Sequence, residues 1–423
     1  MSRRRLDVLG EPHPAYVVWE LTLRCDHACT HCGSRAAVAR DHELSPAEAL
    51  AVVPQLAALG AREVVLIGGE AYLHPGFLEL VRALAAAGVS PTMTTGGKGI
   101  TPELARAMAE AGLVRVSVSI DGLAPTHDRM RASRGSFARA TAALGHLREA
   151  GIRIAANTNL NRLNRDDLEP LYEHLRGQGI GSWQVQLTAP LGRAADRVDM
   201  ILQPWDLLDL LPRIAALKLR ARGDGIVLMP GNNLGYFGPE EGLLRSLHAD
   251  GDDHFMGCQA GRFVMGIESD GAVKGCPSLQ TRAYAGASVR GAELATIWRE
   301  DPKVGALRSR TLEDLWGLCR ECVFAETCMG GCSFTAHSIL GRPGNDPYCH
   351  FRARTLAMRG LRERLVPVAR APGEPFDNGR FELVLEPLDA PDPGARLSAA
   401  RRSSARDRVG LPVVREGEPG RGA

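Results

Sequence analysis

Trp19-Glu20-Leu21-Thr22-Leu23-Arg24-Cys25-Asp26-His27-Ala28-Cys29-Thr30-His31-Cys32 is the stretch from which this chain is best read. Its first residues alternate, Trp19 and Leu21 apolar against Glu20 and Thr22 polar, which is the period of a strand with two unlike faces. Directly after it come three thiols in the string CDHACTHC. A strand followed at its C-terminal end by a cluster of reactive groups is the layout of barrel enzymes.

Downstream segments extend the pattern. Ser45-Pro46-Ala47-Glu48 reads as a capping box with proline at the first helical position, and Gly60 closes that helix. Val64-Val65-Leu66-Ile67 is a short apolar run expected of a strand covered on both faces. Thr101-Pro102-Glu103 opens a further helix that Gly112 ends. Strand and helix alternate from about residue 15 to 190, which implies a parallel sheet and a full or partial barrel. The alternation recurs with Val116, Val118 and Ile120 against Ser117, Ser119 and Asp121, and with Trp183, Val185 and Leu187 against Gln184 and Gln186. A closed barrel fills its interior with branched apolar residues. A polar inner face therefore predicts an α/β fold built as an open, partial (β/α)6 TIM-like barrel around a polar ligand. Glu20, Gln184 and Gln186 are aimed inward by the same alternation.

The bulk numbers exclude several classes. Among 423 residues the net charge is +2, so no global field points to nucleic acid. No segment approaches the roughly 20 apolar residues of a membrane span. The basic N-terminus lacks an apolar signal core, so a cytoplasmic chain with reduced thiols is expected. The expected divisions are an N-terminal extension 1–14, the barrel 15–230, a cysteine-rich domain 231–365 and a largely disordered tail 366–423 in which only Phe381–Leu385 keeps a period. A hairpin is expected over Phe263–Ile267 and Ala272–Lys274.

All ten cysteines fall into two groups. Cys25, Cys29 and Cys32 form the first. Cys258, Cys276, Cys319, Cys322, Cys328, Cys332 and Cys349 form the second. Thiolates select iron–sulfur clusters, zinc or cuprous copper. Three thiolates can hold three irons of a four-iron cluster and leave one iron without a protein ligand, an open position of the kind catalytic metals need. Zinc stays an alternative for either group, although seven thiols do not make two closed four-cysteine sites.

The CxxxCxxC string after the first strand resembles the radical S-adenosylmethionine superfamily. Gly68-Gly69-Glu70, ending the second strand, resembles the family's GGE motif, which binds the amino group of the methionyl moiety. By the same resemblance Ser119 and Asp121 match the ribose-contacting region, and Arg131 is a candidate for the methionyl carboxylate. His31 stands where the family usually has an aromatic residue, and Ala71 where it often has proline. The resemblance implies a 4Fe-4S cluster, reductive cleavage of S-adenosylmethionine and a 5′-deoxyadenosyl radical that takes hydrogen from substrate.

The second group is similar to the seven-cysteine SPASM extension. That likeness implies two auxiliary 4Fe-4S clusters, three clusters in all. One would use Cys258, Cys276 and Cys332, and the other Cys319, Cys322, Cys328 and Cys349. The family branch that makes formylglycine places an aspartate base after the second of these cysteines; here Pro277 and Ser278 follow Cys276. The resemblance implies a peptide or protein substrate, foremost a ribosomally made peptide, with a reduced flavodoxin or ferredoxin as electron donor. The dozen or so residues before the barrel are too few for a leader-binding domain of roughly 50 residues, so a separate leader-binding protein is expected. The other readings are a small-molecule enzyme of heme or cofactor synthesis, and a non-enzymatic iron–sulfur electron carrier. No catalytic acid or base is assigned, and Asn232, Asn233, Tyr236 and Tyr348 read as structural loop residues.

Overall fold

Seven parallel strands make the body of the protein in chain order: β1 Tyr16–Thr22, β2 Glu63–Gly68, β3 Ser90–Thr95, β4 Arg115–Ser119, β5 Arg153–Leu160, β6 Ser182–Leu187 and β7 Val227–Pro230. The computed structural model describes residues 10–247, 251 and 253–392. Between the strands run α1 Pro46–Ala58, α2 Phe77–Ala86, α3 Pro102–Glu110, α4 Ala124–Arg131, α5 Ser136–Glu149, α6 Leu168–Gly177 and α7 Leu207–Gly223. α1 starts as expected: Ser45 Oγ accepts from Glu48 N at 3.3 Å, and Glu48 Oε2 accepts from Ser45 N at 2.8 Å. Thr101 Oγ1 likewise caps α3 by accepting from Leu104 N at 3.2 Å.

The alternation sorts the two faces. Trp19, Leu21, Leu66, Val116, Val118, Trp183 and Val185 join Leu56, Leu80, Leu84, Leu144 and Leu175 of the helices in one core. Each such fully buried side chain contributes about 1.5–3 kcal/mol. The opposite strand face carries Glu20, Thr22, Thr92, Ser117, Ser119, Asn157, Gln184 and Gln186. Trp183 Nε1 donates to Thr158 Oγ1 at 2.9 Å, so this buried ring leaves no unmet donor.

Three expectations change. The expected hairpin exists as β8 Val264–Ile267 and β9 Val273–Lys274, but β8 pairs in parallel with β1. The sheet order is β7-β6-β5-β4-β3-β2-β1-β8-β9, so a domain boundary at 230/231 would cut through one sheet. A short seventh parallel strand, β7, also extends the six-strand barrel. Finally, residues 366–387 are not tail. β10 Leu361–Ala369 pairs antiparallel with β11 Arg380–Pro387, and Leu365 and Phe381 are buried in the main core. Only Phe381–Leu385, within β11, keeps a readable period, because inner positions of the ribbon include charges: Arg352 Nε donates to Glu363 Oε2 at 2.6 Å, and Arg362 Nε to Glu386 Oε1 at 2.8 Å. Among the described residues, those through Leu388 form one unit. Expected extension residues 1–9 and tail residues 393–423 lie outside the described residues.

Candidate active site

The cluster loop leaves the C-terminal end of β1 and is tied down on every side. Cys25 N donates to Ala37 O at 3.1 Å, closing the loop on itself. Thr30 N and Oγ1 both donate to Met130 O, at 2.8 and 3.0 Å. Tyr72 Oη donates to Asp26 Oδ2 at 2.7 Å. Arg193, in the loop after β6, donates through Nε to Cys29 O at 2.7 Å, through Nη2 to Ala36 O at 3.1 Å and through its backbone N to Cys32 O at 2.9 Å. A Cβ on its neighbour Gly192 (φ +57°) would lie 2.4 Å from Cys32 O, so only glycine lets the two loops touch. Neither Arg193 nor Gly192 was singled out from sequence. A lone arginine 161 positions beyond Cys32 carries no local signal.

The GGE segment lies against the base of this loop. Gly69 N donates to Thr22 O at 2.7 Å and Glu70 N to Arg24 O at 2.9 Å. A Cβ on Gly69 would stand 2.1 Å from Arg24 O and 2.7 Å from Cys25 Cβ. Glu70 is buried, and its carboxylate accepts from Thr95 Oγ1 and, at 2.7 Å, from Gly96 N. Burial pushes its carboxyl up to about 7 against the pull of those two donors. Ligand atoms of Cys25, Asp26 and Glu70 all lie within 4.8 Å of one another.

Across the loop stands a buried ion pair. Arg131 Nη2 lies 2.6 Å from Asp121 Oδ2, and Arg131 Nη1 donates to Cys29 Sγ at 3.5 Å. Asp121, wholly buried, also faces His31 Nε2 at 3.2 Å and accepts from Asn159 N at 2.9 Å. Burial pushes the Asp121 carboxyl up, but Arg131 and His31 outweigh it and hold the group well below the usual carboxylate range. The Asp121 carboxylate is thus committed to Arg131, while Ser119 stands half-buried on the same inward face.

The donor set suits an iron–sulfur cluster. Burial drives the Cys25 thiol up to about 12, and Cys29 also rises, each further raised by neighbouring sulfurs. Soft, crowded sulfurs that resist ionising alone are stabilised together by a multiply charged metal centre.

The remaining cysteines gather in two places. Cys319, Cys322, Cys328 and Cys349 line one small cavity with Tyr236, Phe324 and Asp346. Cys258 and Cys276 pack together against Ala260, Leu279 and Leu307, and burial raises the Cys332 thiol, with the charges of Cys258 and Cys276 raising it further. Asp346 sits between the groups: its Oδ2 accepts from Cys332 N at 3.1 Å and Tyr236 Oη at 3.0 Å, while its side chain borders the other cavity. Burial pushes the Asp346 carboxyl up to about 7.

Inward-facing residues fare unevenly. Glu20 is not free for a ligand, because its Oε1 accepts from Arg40 Nη2 at 3.1 Å and Ser269 Oγ at 3.0 Å. Gln186 Nε2 donates to Asn159 Oδ1 at 3.0 Å, while Gln184 is half-buried. The loop residues are structural as read: Asn233 brackets Leu187 N and O, and Tyr348 Oη donates to Leu202 O. His350 is buried with Nδ1 3.6 Å from Glu240 Oε2. Among the described residues no helix is long and apolar enough to cross a membrane.

Comparison with known proteins agrees with this geometry. Residues 19–175 match the family model described as the Radical SAM superfamily. The chain is 30% identical over 352 residues to the mycofactocin maturase MftC of Mycobacterium ulcerans, covering 80% of this chain and 89% of that one. It is 27% identical over 370 residues to the AdoMet-dependent heme synthase of Nitratidesulfovibrio vulgaris, covering 82% and 95%. The fold is similar to that of Streptococcus suis SuiB bound to S-adenosylmethionine, with TM-score 0.62, 17% identity and coverage of 80% and 76%. With three thiols on the loop after β1, the glycine pair packed beneath them and a relative at this identity, the chain belongs to the radical SAM superfamily and is an enzyme.

Proposed function

We propose that this enzyme matures a ribosomally made peptide. Cys25, Cys29 and Cys32 would hold a 4Fe-4S cluster, and Gly68, Gly69 and Glu70 would take the amino group of S-adenosylmethionine. Ser119 would meet the ribose. Arg131, oriented by Asp121, would take the methionyl carboxylate. When bound, the cluster and S-adenosylmethionine supply a 5′-deoxyadenosyl radical that removes hydrogen from the substrate. The chain's own part is to fix the ligand's charged ends and exclude water. The observation that carries this reading is the meeting of Cys25 and Glu70 ligand atoms within 4.8 Å, beside the Arg131–Asp121 pair.

Two auxiliary clusters are part of the proposal, one on Cys258, Cys276 and Cys332 and one on Cys319, Cys322, Cys328 and Cys349. So are a cytoplasmic setting, a reduced flavodoxin or ferredoxin donor and a separate leader-binding protein. The peptide substrate is supported by the 30% identity to a maturase. The heme synthase relative favours a second reading, a porphyrin-type small molecule.

The test is anaerobic reconstitution followed by iron and sulfide counts and a search for 5′-deoxyadenosine after adding S-adenosylmethionine and dithionite. About twelve irons per chain with nucleoside formation is expected. The nucleoside should vanish when Cys25, Cys29 and Cys32 become alanine, with auxiliary iron retained. Bound zinc, or about four irons without cleavage, sinks the three-cluster reading. Mass changes in a short peptide encoded beside the gene, set against a porphyrin carboxylate, separate the two substrates.

A further inference from the structure

The two ends of the barrel sheet, β7 and β9, do not pair with each other, so the barrel has an open seam. One short segment spans it. Between β10 and β11 the chain leaves the ribbon and reaches the barrel mouth at Phe376–Asn378. On one side Asn378 bridges Leu191 and Asp377 O accepts from Gly192 N at 2.7 Å, both in the loop after β6. On the other side the Phe376 ring lies 4.3 Å from Lys274 Nζ on β9. Lys274 is on the strand face opposite the core residue Val273, which is the inward face.

The tip is latched to the cluster loop. Arg35 Nε donates to Asp377 Oδ1 at 2.7 Å, three residues beyond Cys32, and Asp377 Oδ2 accepts from Gly373 N and Glu374 N. The same guanidinium donates through Nη1 to Asp196 Oδ2 at 2.7 Å, so Asp377 can leave without stranding Arg35. Phe376 has φ +56° and is only 8% exposed. A β-carbon residue in the left-handed region is disfavoured unless contacts hold it. Residues 372–375 are exposed, and the ribbon below is fixed by buried Leu365 and Phe381. An anchored base, an exposed span and a strained, buried tip held by one side-chain ion pair, two backbone contacts to the loop after β6 and the Phe376–Lys274 contact are the parts of a strap that opens.

We propose that residues 370–379 form a strap over the barrel seam that opens to admit S-adenosylmethionine and substrate, with Arg35–Asp377 as its latch. This rests on the reading that the barrel holds S-adenosylmethionine. The test begins with hydrogen exchange on the full-length, cluster-reconstituted chain. Amides of 371–378 should exchange roughly ten-fold faster than those of 362–366 and 381–385, and Asp377→Asn should speed the first set alone by a similar factor. Stopped-flow binding of S-adenosylmethionine follows. In Asp377→Asn and Phe376→Ala the association and dissociation rates should rise together, leaving the dissociation constant within about two-fold, because a gate alters both rates while a binding contact alters the equilibrium. Protection of 371–378 equal to the ribbon's overturns the proposal. So does a weakened dissociation constant with an unchanged association rate. If the wild-type chain binds no S-adenosylmethionine, the functional reading fails and the exchange pattern alone decides the strap.

Discussion

Replacing Arg131 by methionine removes the cation facing a fully buried carboxylate while keeping most of the volume. The Arg131–Asp121 contact is 2.6 Å with side-chain exposures of 9% and 0%, so little solvent screens it. Breaking such a pair from one side costs about 3–5 kcal/mol, whereas replacing both partners by neutral groups is often close to neutral. His31 and the Asn159 amide remain to face Asp121, which returns part of that cost. We therefore expect Arg131→Met to lose about 3 kcal/mol and Asp121→Asn about 2 kcal/mol. The double variant should lose no more than about 2 kcal/mol, a coupling of about 3 kcal/mol. The assay is urea unfolding of the iron-free, reduced chain at neutral pH. The pH dependence has a fixed sign. Asp121 has its folded pKa depressed, so its contribution is fully present above the unfolded value of about 3.9 and is lost as pH falls through the lower folded value. The advantage of wild type over the double variant should thus be flat from about pH 5 to 8 and shrink only in stronger acid. Additivity of the single changes within about 0.5 kcal/mol would refute the reasoning.

Gly69→Ala should forfeit iron on the N-terminal cysteines and cost about 1–3 kcal/mol or more, because the added carbon meets Arg24 O at 2.1 Å; iron counts and a melting curve check it. Arg193→Ala should cost about 2–4 kcal/mol and loosen the cluster loop, seen as faster amide exchange over 29–37, with Arg193→Lys recovering part of it. Glu70, with its folded pKa raised to about 7, binds a proton in the native state that the unfolded chain has already lost. The stability of the iron-free chain should fall between about pH 4.3 and 7, by on the order of 3 kcal/mol, and Glu70→Gln should flatten that slope.

Much of this was legible because local patterns have local causes. The capping box before α1 forms as written, since Ser45 and Glu48 need only each other's backbone. Strand alternation sorted Trp19, Val118 and Trp183 into the core, because a buried face tolerates only one register. The ribbon β10–β11 is legible only as the period of Phe381–Leu385, for the opposite reason: Arg352, Arg362, Glu363 and Glu386 satisfy one another across elements, and composition alone reads such charges as solvated. Glu20 was aimed inward correctly, yet Arg40 and Ser269 occupy its carboxylate, and those partners are near it only after folding.

The sequence by itself determined the chemistry: three thiols at fixed spacing, a glycine pair with its carboxylate and a polar strand face need no distant partner to be recognised. Tertiary structure alone decided what surrounds them. It brought Arg193 onto the cysteine carbonyls, committed Asp121 to Arg131, joined β8 to β1 and carried Asp377 back to Arg35. The reason is physical. Spacing along the chain encodes the reach of one loop, while the charge and hydrogen-bond partners of a buried group are chosen by which remote segments fold against it.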